Sequence, residues 1–358
     1  MAAYTTIDDP SAFFKVITFT GDGNTPRAHT FSDTDTDMQP DLIWLKKRTP
    51  ADEFHTLTDA VRGVGKHLIA NNTDGQATNS NSGYISAFGS DGFTTTNGTE
   101  NELYVNTDGA TYVGWCWKAG GSTSSNTTGA TSSTVSLNST AKFSIVQWTG
   151  TGSTTTVGHS LGVVPDMFIT KSTASGSWGV YNQGAASSPE DGLMTLNGNS
   201  AWYDHTAYYN DTAPTSTVFT VNSDASVNHS SNTMISYCFS SVQGYSKFGS
   251  YTWGTGNVDG AYVFCGFRPA LVILKRSDGS DHWWIHDNKR TGGNGESRVL
   301  YANTDSVEND SQQIDILGSG FKIRTNDSGY NPAGGTMIYM AWADSPIANS
   351  NGVPNNAF

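Results

Sequence analysis

Alternation of bulky apolar residues with smaller ones marks three stretches of the chain as buried strands. They read TYVGWCWKA from Thr111, TMISYCFSS from Thr233 and TMIYMAWAD from Thr336. The residues two, four and six positions after each Thr are large, which is the period-two pattern of a strand with one face in a core. The opposite face carries smaller residues that are still largely apolar. We therefore expect both faces to be covered and each strand to lie near the middle of a sheet.

Two further blocks recur with these strands, in the same order and at nearly constant separation. PDLIWLKK starts at Pro40, PDMFITKS at Pro165 and PALVILKR at Pro269, and each places a Lys six residues after the Pro. The blocks that open the three units are FKVITFTGDG from Phe14, FSIVQWTGTG from Phe143 and FGSYTWGTGN from Phe248. Such self-similarity predicts three tandem copies of one folding unit.

The composition favours strands and turns over helices in each copy. The chain of 358 residues has 39 Gly, many Ser, Thr and Asn, and only six Glu, so few residues suit the exposed face of a long helix. We predict an all-β protein of three tandem antiparallel β-sandwich, jelly-roll-like domains. Their ranges are residues 1–118, 141–243 and 244–358.

The predicted connection between the first two copies differs from the one between the second and third. Residues 119–140 form a Ser/Thr/Gly-rich linker that is either flexible or an extended edge segment. The second junction, SSVQGYSKF, contains aromatic residues, which indicates that copies two and three pack against each other.

Charge and the absence of apolar runs exclude several classes of partner. The formal net charge is -13, with 19 Lys+Arg against 32 Asp+Glu, which argues against a nucleic-acid partner because phosphate binding depends on clustered basic residues. No apolar run is long enough to span a bilayer, so we expect no membrane insertion, and the N-terminus lacks the pattern of a signal peptide. The three cysteines, Cys116, Cys238 and Cys265, form no CxxC pair, and we expect them to be buried and free.

Two acid-base patterns have a structural interpretation that we favour over a chemical one. His282 and His286 would share one face of a strand, but the sequence identifies no third metal ligand, so we interpret the segment as an ordinary strand. An Asp is followed three residues later by an Arg at Asp59 and again at Asp287. A pair repeated in two copies is typical of a salt bridge that closes a turn.

The acidic run from Asp33 to Asp37 resembles a calcium loop only in its alternating carboxylates. It lacks the Gly at the sixth position and the Glu at the twelfth that an EF-hand requires. We interpret it as a solvated acidic loop, with an irregular calcium site as the alternative. No spacing singles out a nucleophile, a carboxylate pair or a phosphate loop, so we predict no catalytic residue, no metal site and no cofactor.

One aromatic segment of the second copy has no counterpart in the other two. Its ring-bearing and polar residues are the candidate site of glycan or partner contact: Trp202, Tyr203, Asp204, His205, Tyr208 and Tyr209. A pyranose presents C–H patches to a ring face and hydroxyls to polar neighbours, so this mixture suits sugar recognition. Packing between domains or between subunits is the alternative interpretation.

Several longer phrases resemble repeat modules in tail-fibre-like structural proteins of marine tailed bacteriophages. These phrases are TTIDDPSAFF, HSLGVVPDMFITK, SVQGYSKFGSYTWGTGN, GFRPALVILKR, IDILGSGFKIR and MIYMAWADSP, and they are spread over nearly the whole chain. The resemblance implies a virion protein and carries over no catalytic residue.

Together these observations predict a non-enzymatic bacteriophage virion protein, a tail or capsid fibre or knob component that contacts the host cell surface. It would be made in the host cytoplasm and would assemble with itself, as a homo-oligomer, and with other virion proteins. A host surface glycan is the further expected partner. The alternatives are a capsid decoration or connector protein with no receptor role and, third, an enzyme that degrades polysaccharide.

Overall fold

The computed structural model describes residues 3–32, 36–252, 257–290, 298–310 and 313–354. Nearly all regular structure in these ranges is antiparallel strand, which confirms the predicted all-β class. The helical elements are the single turns Pro10–Ala12 and Pro189–Asp191, both 3-10, and the α-helix Ala225–Asn228. In these ranges, then, every helix is too short to cross a bilayer.

The strands fall into three consecutive groups. Repeat 1 has β1 Phe14–Thr20, β2 Arg27–Thr30, β3 Leu42–Thr49, β4 His55–Asp59, β5 Lys66–Ile69, β6 Ala77–Thr78, β7 Tyr84–Gly89, β8 Gly92–Thr96 and β9 Thr111–Trp117. Repeat 2 has β10 Ser124–Asn126, β11 Ser133–Asn138, β12 Phe143–Thr149, β13 Thr155–Gly158, β14 Met167–Ser172, β15 Gly179–Asn182, β16 Gly192–Thr195, β17 Tyr203–Asp204, β18 Val218–Val221 and β19 Thr233–Phe239. Repeat 3 has β20 Ser246–Thr252, β21 Tyr262–Phe264, β22 Phe267–Arg276, β23 Trp283–Asp287, β24 Arg298–Tyr301, β25 Asn309–Asp310, β26 Ile314–Leu317, β27 Gly320–Ile323 and β28 Thr336–Pro346.

Each repeat is built of a large sheet and a small one. The large sheets run β1-β9-β3-β4-β5-β6, β10-β11-β12-β19-β14-β15-β16-β17 and β20-β28-β22-β23-β24-β25. The small sheets are β2-β8-β7, β13-β18 and β21-β27-β26. The closing strands β9, β19 and β28 lie between two neighbours inside their sheets, as their two apolar faces predict.

Strand pairing aligns the repeats residue by residue and corrects one of the sequence blocks. Phe14 pairs with Trp117 and Phe143 with Phe239, but the residue opposite Trp342 is Ser246. The opening block of repeat 3 therefore starts at Ser246, two residues before the Phe248 that the sequence comparison chose. The shift of two keeps an apolar residue on the same face of the strand, which is why the pattern alone did not reveal it.

The inner faces of the three large sheets form one common hydrophobic core. Trp117, Phe239 and Trp342 meet in it, with ring centroids 5.3 Å apart for the two Trp, and 6.4 and 5.5 Å from Phe239 to Trp117 and Trp342. These are the residues six positions after the repeated Thr of each closing strand. The outer face of each large sheet packs instead on the small sheet of its own repeat, in a separate cluster.

Hydrogen bonds between repeats follow the same pattern around the common core. The Trp178 indole N–H donates to the Ile69 carbonyl of repeat 1 at 2.8 Å, and the Trp283 indole donates to the Thr195 carbonyl of repeat 2 at 2.9 Å. His55 occupies the position of these Trp in repeat 1 and lies against repeat 3 near the backbone of Tyr301. The contacts therefore close a ring in which each repeat meets the other two.

The repeated Asp–Arg pairs are buried ion pairs that lie at these junctions. Asp59 binds Arg62 at 2.5 Å, accepts two backbone N–H groups of its own turn, and accepts the Tyr237 hydroxyl of repeat 2 at 2.9 Å. Asp287 binds Arg290 at 2.5 Å and accepts the Trp115 indole N–H of repeat 1 at 3.0 Å. The predicted turn-closing salt bridges are confirmed, and each also joins two repeats.

Repeat 2 has a neutral residue in place of the aspartate. Its equivalent residue is Asn182, and the position held by Tyr237 and Trp115 in the other closing strands is Met340 in repeat 3. Met340 has no hydrogen to donate. The Asn182 side-chain oxygen accepts the Gly184 backbone N–H at 2.9 Å, and among the described residues its amide nitrogen has no hydrogen-bond partner.

The junction between repeats 3 and 1 is ionic. The Glu308 carboxylate is buried and binds three guanidinium groups, with distances of 2.8 Å to Arg48, 2.9 Å to Arg290 and 3.1 Å to Arg298. These charge-assisted bonds hold the carboxylate ionised and lower its pKa against the opposing effect of burial. This junction joins residues far apart in the sequence and completes the ring.

The Lys of each repeated Pro block is fully buried and binds backbone. Lys46 donates to the carbonyls of Glu53 and Asp305, at 2.7 and 2.8 Å. Lys171 and Lys275 likewise each donate to two carbonyls in the loop that follows their strand. Burial lowers the pKa of all three to about 8. The six-residue spacing from Pro to Lys, repeated in the three copies, thus places a buried ammonium group where it fixes a loop at the junction between repeats.

The expectation of three separately folded domains joined by a linker needs correction. The predicted ranges 1–118, 141–243 and 244–358 follow the change from one large sheet to the next, but the inner core belongs to all three. Residues 119–140 contain β10 and β11, and β11 pairs with β12 along its length, which is the extended-edge alternative. The physical reason is that each large sheet is apolar on both faces while its small sheet covers only one.

Because the core is shared, we expect Trp342→Ala to destabilise all three repeats together. Removing a buried indole costs about 3–5 kcal/mol. In urea unfolding followed by amide hydrogen exchange, the strands of repeats 1, 2 and 3 should lose protection at the same denaturant concentration. Loss confined to β20–β28 would show that repeat 3 folds independently.

Buried histidines should make the fold sensitive to acid. Burial lowers the pKa of His29, His55, His67, His159 and His286, to about 4 for His29 and His67 and about 3 for His286. In the unfolded chain these groups titrate near 6.5, so below that pH the unfolded state binds more protons and the free energy of unfolding falls, down to the folded pKa.

His67→Phe should remove one such proton from the linkage. The slope of unfolding free energy against pH between 6.5 and 4 should then fall by up to about 1.4 kcal/mol per pH unit. The wild-type chain, measured under the same conditions, is the reference for this slope. An unchanged slope in His67→Phe would contradict the assignment.

Candidate recognition surface

The aromatic segment of repeat 2 begins as the edge strand of the largest sheet. In β17, Tyr203 pairs with Leu193 and Asp204 with Gly192 of β16, and the His205 N–H donates to the Asp191 carbonyl at 2.8 Å. The strand has no further neighbour among the described residues. Its backbone is thus held on one side by the sheet, while the other side faces solvent.

The second half of the segment turns inward and completes the outer layer of repeat 2. The Asn222 N–H donates to the Tyr208 carbonyl at 2.8 Å, and the Asp224 N–H donates to the Ala207 carbonyl at 3.0 Å. Tyr209 is only 1% exposed and packs on Phe168 and Tyr181. In repeats 1 and 3 the third strand of the small sheet fills this layer.

Tyr209 must therefore be removed from the predicted contact residues. The sequence argument held that a copy-specific segment is free of the shared fold's demands, but this ring is part of the buried outer cluster of repeat 2. Its hydroxyl is buried and meets no partner in the described ranges. Burial raises its pKa well above the usual value, as expected for a core residue.

The remaining residues of the segment form an accessible surface. Tyr203 is 58% exposed, Asp204 and His205 are exposed, and Trp202 and Tyr208 are half-buried. The rings of Tyr203 and His205 are stacked with centroids 6.0 Å apart, and those of His205 and Tyr208 lie 5.6 Å apart. We call Trp202, Tyr203, Asp204, His205 and Tyr208 the recognition surface.

An open depression of about 350 Å³ lies beside these rings. Trp202, Tyr203 and Tyr208 line it together with Leu193, Thr195, Ser200 and Ala201. Leu193 and Thr195 were not among the sequence candidates, because only the β16–β17 pairing brings their strand next to the segment. Ser200 and Ala201 directly precede Trp202 in the chain. The depression offers ring faces and hydroxyl groups to one ligand.

The recognition surface is anchored across the junction between repeats 2 and 3. The Trp202 N–H donates to the Ser277 carbonyl at 2.7 Å, and its indole packs against the common core. Close by, the Asp281 N–H donates to the Asn199 carbonyl at 2.7 Å. Two repeats therefore fix the position of Trp202 and, through it, the start of β17.

Carboxylates surround the recognition surface and give it a negative potential. The pKa of Asp191 is raised by partial desolvation and by the charges of Asp211, Glu190 and Asp204. Within the described part of the chain, none of these four carboxylates has an ion-pair partner. An anionic ligand would be repelled here, whereas hydroxyl groups would find acceptors.

The other sequence candidates lie away from this surface. His286 is buried and its Nε2 lies 2.9 Å from the Tyr330 hydroxyl, whereas His282 interacts with Asn303. In the described ranges, no group of three His, Cys, Asp or Glu is arranged to hold a metal ion. Of the acidic run, Asp33, Thr34 and Asp35 lie outside the described residues, while the Thr36 hydroxyl donates to Asp9.

The three cysteines are buried and free, as predicted. Burial raises the pKa of the Cys238 and Cys265 thiols to about 12 and raises that of Cys116 further. The thiolate form is therefore disfavoured at neutral pH, and these sulfurs act as packing groups.

A family of domains of unknown function, DUF7483, matches residues 9–346. The chain belongs to the DUF7483 family. No curated protein and no solved structure matches the chain. The DUF7483 match includes all three repeats and the segment 119–140.

Within this DUF7483 chain, the aromatic segment should divide into a structural part and an accessible part. Tyr209→Ala should cost about 3–5 kcal/mol of unfolding free energy because it empties a core position, whereas Tyr203→Ala should stay within about 0.5 kcal/mol. Tyr209→Phe should be tolerated, since the buried hydroxyl makes no bond to lose. Urea unfolding of the three variants measures these differences, and equal costs at 203 and 209 would refute the division.

Proposed function

We propose that the chain is a non-enzymatic bacteriophage virion protein that binds a host surface glycan at the recognition surface. It would be a tail or capsid fibre or knob component, located in the virion and assembled with itself and with other virion proteins. The main support for glycan binding is the exposed Tyr203 ring, which lies beside Asp204 and His205 on an edge strand that β16 fixes in place.

Ring exposure of this kind supports a binding role. A large aromatic side chain left in water loses the favourable burial that a partner would supply, and stacked rings beside a carboxylate match the faces of a pyranose. The depression beside Tyr203 adds the Thr195 and Ser200 hydroxyls as hydrogen-bonding groups. The surrounding carboxylates favour a neutral or amine-bearing sugar over an acidic one.

The rigid frame beneath the surface also supports this proposal. A backbone hydrogen bond to repeat 3 fixes Trp202, and pairing with β16 fixes Tyr203. Ligand binding therefore costs little conformational entropy. A preorganised surface on a closed ring suits a protein that acts by contact. The virion assignment itself rests on the resemblance of the quoted phrases to tail-fibre-like phage modules.

Glycan binding by the purified chain should depend on the exposed rings. The double variant Tyr203→Ala with His205→Ala should lose at least about tenfold in affinity for a neutral host oligosaccharide, because stacking and ring burial supply much of the binding free energy. Tyr262→Ala removes an exposed Tyr from repeat 3, where 47% of the residue is accessible, and is the matched control. Equal affinity of the double variant and the control would reject the recognition surface as the glycan site.

Phage particles separate this proposal from its alternatives. Antibody labelling should place the protein on the tail or capsid, and particles carrying the double variant should assemble normally but adsorb poorly to host cells. Normal adsorption would instead favour a decoration or connector role. Release of reducing ends from host polysaccharide by the purified chain would favour an enzyme and contradict the non-enzymatic proposal.

A further inference from the structure

One flank of repeat 2 is closed by the chain segment that precedes it, residues 129–138. The β11 part of this segment pairs with β12 of the large sheet. Just before it, the Thr131 N–H donates to the Thr156 carbonyl of β13 at 3.0 Å, and Thr131 forms a parallel bridge with Val157. A single extended segment therefore covers the edges of both sheets on this side.

The same flank of repeat 3 has no such cover in the described part of the chain. β21 pairs only with β27 there, and β20 lies at the end of its sheet. Val263 pairs with Phe321 as Val157 pairs with Phe219, so Tyr262 and Phe264 correspond to Thr156 and Gly158. The carbonyl that would receive a covering segment in repeat 3 is thus that of Tyr262.

Two exposed aromatic side chains lie two residues apart on β21, on the same face of the strand. Tyr262 and Phe264 are 47% and 50% exposed. Tyr262 and Phe264 take the place of Ala28 and Thr30 in repeat 1, so the aromatic patch is specific to repeat 3. Contiguous exposed apolar groups of this kind mark interaction sites in soluble proteins.

The cleft beside Phe264 is larger than its counterpart in the ring. It measures about 520 Å³ and lies between Phe264 on one side and Asp166 and Gln183 of repeat 2 on the other. The equivalent cleft between repeats 3 and 1 measures about 140 Å³. There is accordingly room for side chains of a bound segment at the junction of repeats 2 and 3.

Of the two strand edges at this flank, β21 is the more open. The Phe248 N–H of β20 donates to the Ser241 hydroxyl and its carbonyl accepts from Gln183, both at 3.1 Å. On β21, the Lys247 ammonium donates to the Phe264 carbonyl at 2.7 Å and lies 5.6 Å from the Phe264 ring centroid. A Lys at such a position commonly protects a strand edge against indiscriminate pairing.

Two cations on the β27 side of the patch are already paired with carboxylates and so offer no free charge to a partner. Lys322 binds Asp259 at 2.6 Å, and Arg324 binds Asp315 at 2.5 Å. In the segment 129–138 that closes repeat 2, the sequence is GATSSTVSLN, with no charged residue. The segment that covers the equivalent flank of repeat 2 is therefore itself uncharged, as we expect of a segment that covers repeat 3.

We propose that the β21 edge, with Tyr262 and Phe264, is a docking site for an extended, uncharged segment of another protein chain. The segment adds alongside β21 in parallel, donates a backbone N–H to the Tyr262 carbonyl as Thr131 does to Thr156, and packs alternate Ser, Thr or aliphatic side chains on the two rings. Strand addition of this type draws affinity from main-chain bonds and specificity from alternate side chains. The site is separate from the recognition surface and does not depend on glycan binding.

A labelled peptide of sequence GATSSTVSLN tests the docking site on the full chain. Fluorescence anisotropy should detect binding, and hydrogen exchange at residues 262–264 should slow when the peptide is bound. The same peptide with Pro in place of its Thr131 equivalent lacks the donating N–H and should bind at least about tenfold more weakly.

Two substitutions in the chain should weaken its affinity for the peptide, and a third should strengthen it. Tyr262→Ala and Phe264→Thr, which copy the residues of repeat 1, should each weaken the peptide about tenfold, and both sites are exposed, so the fold should be retained. Lys247→Ser copies Ser144 of repeat 2, frees the Phe264 carbonyl and should tighten binding several-fold. Tyr203→Ala should leave peptide affinity as it is, which separates this test from that of the glycan site.

Several results would overturn the proposal. These are no binding by the wild-type chain at about 1 mM peptide, affinity that survives Phe264→Thr, or exchange protection that excludes residues 262–264. Self-association of the chain that Phe264→Thr abolishes would identify a second copy as the occupant instead. Oligosaccharide binding lost in Phe264→Thr but retained in the recognition-surface variant would identify a sugar.

Discussion

The structure depends on three sheets that are each apolar on both faces. A small sheet buries one face of each, and the other face can be buried only against the remaining two repeats. Trp117, Phe239 and Trp342 mark the place where the three inner faces meet. Because burial of apolar area is the main favourable term in folding, we expect this shared core to couple the stability of the three repeats.

Polar groups buried around this core follow from which residue the neighbouring repeat supplies. An Asp–Arg pair is kept where a Tyr or Trp of the next repeat donates to the carboxylate, as at Asp59 and Asp287. In repeat 2 the equivalent position holds Asn182, and the equivalent closing-strand position of repeat 3 holds Met340, which has no hydrogen to donate.

Surface differences between the copies, by contrast, point to function, because the shared fold does not require them. Tyr203 lies on the edge strand β17, which among the described residues pairs only with β16. Tyr262 and Phe264 lie on the edge strand β21, where repeat 1 has smaller residues. Both places combine exposed rings with strand backbone that is held by a sheet. The framework is common to the repeats, and the proposed binding functions lie where one copy departs from it.

Periodicity and spacing, which are local properties of the chain, were enough to predict the all-β class, the three repeats, the central closing strands, the buried free cysteines and the turn-closing pairs at Asp59 and Asp287. Three features emerged only from the folded arrangement: the shared inner core, the edge strands within residues 119–140, and the burial of Tyr209 beside the exposed Tyr203. The period-two pattern shows that a face is covered but does not show which partner covers it, and burial of a ring depends on that partner.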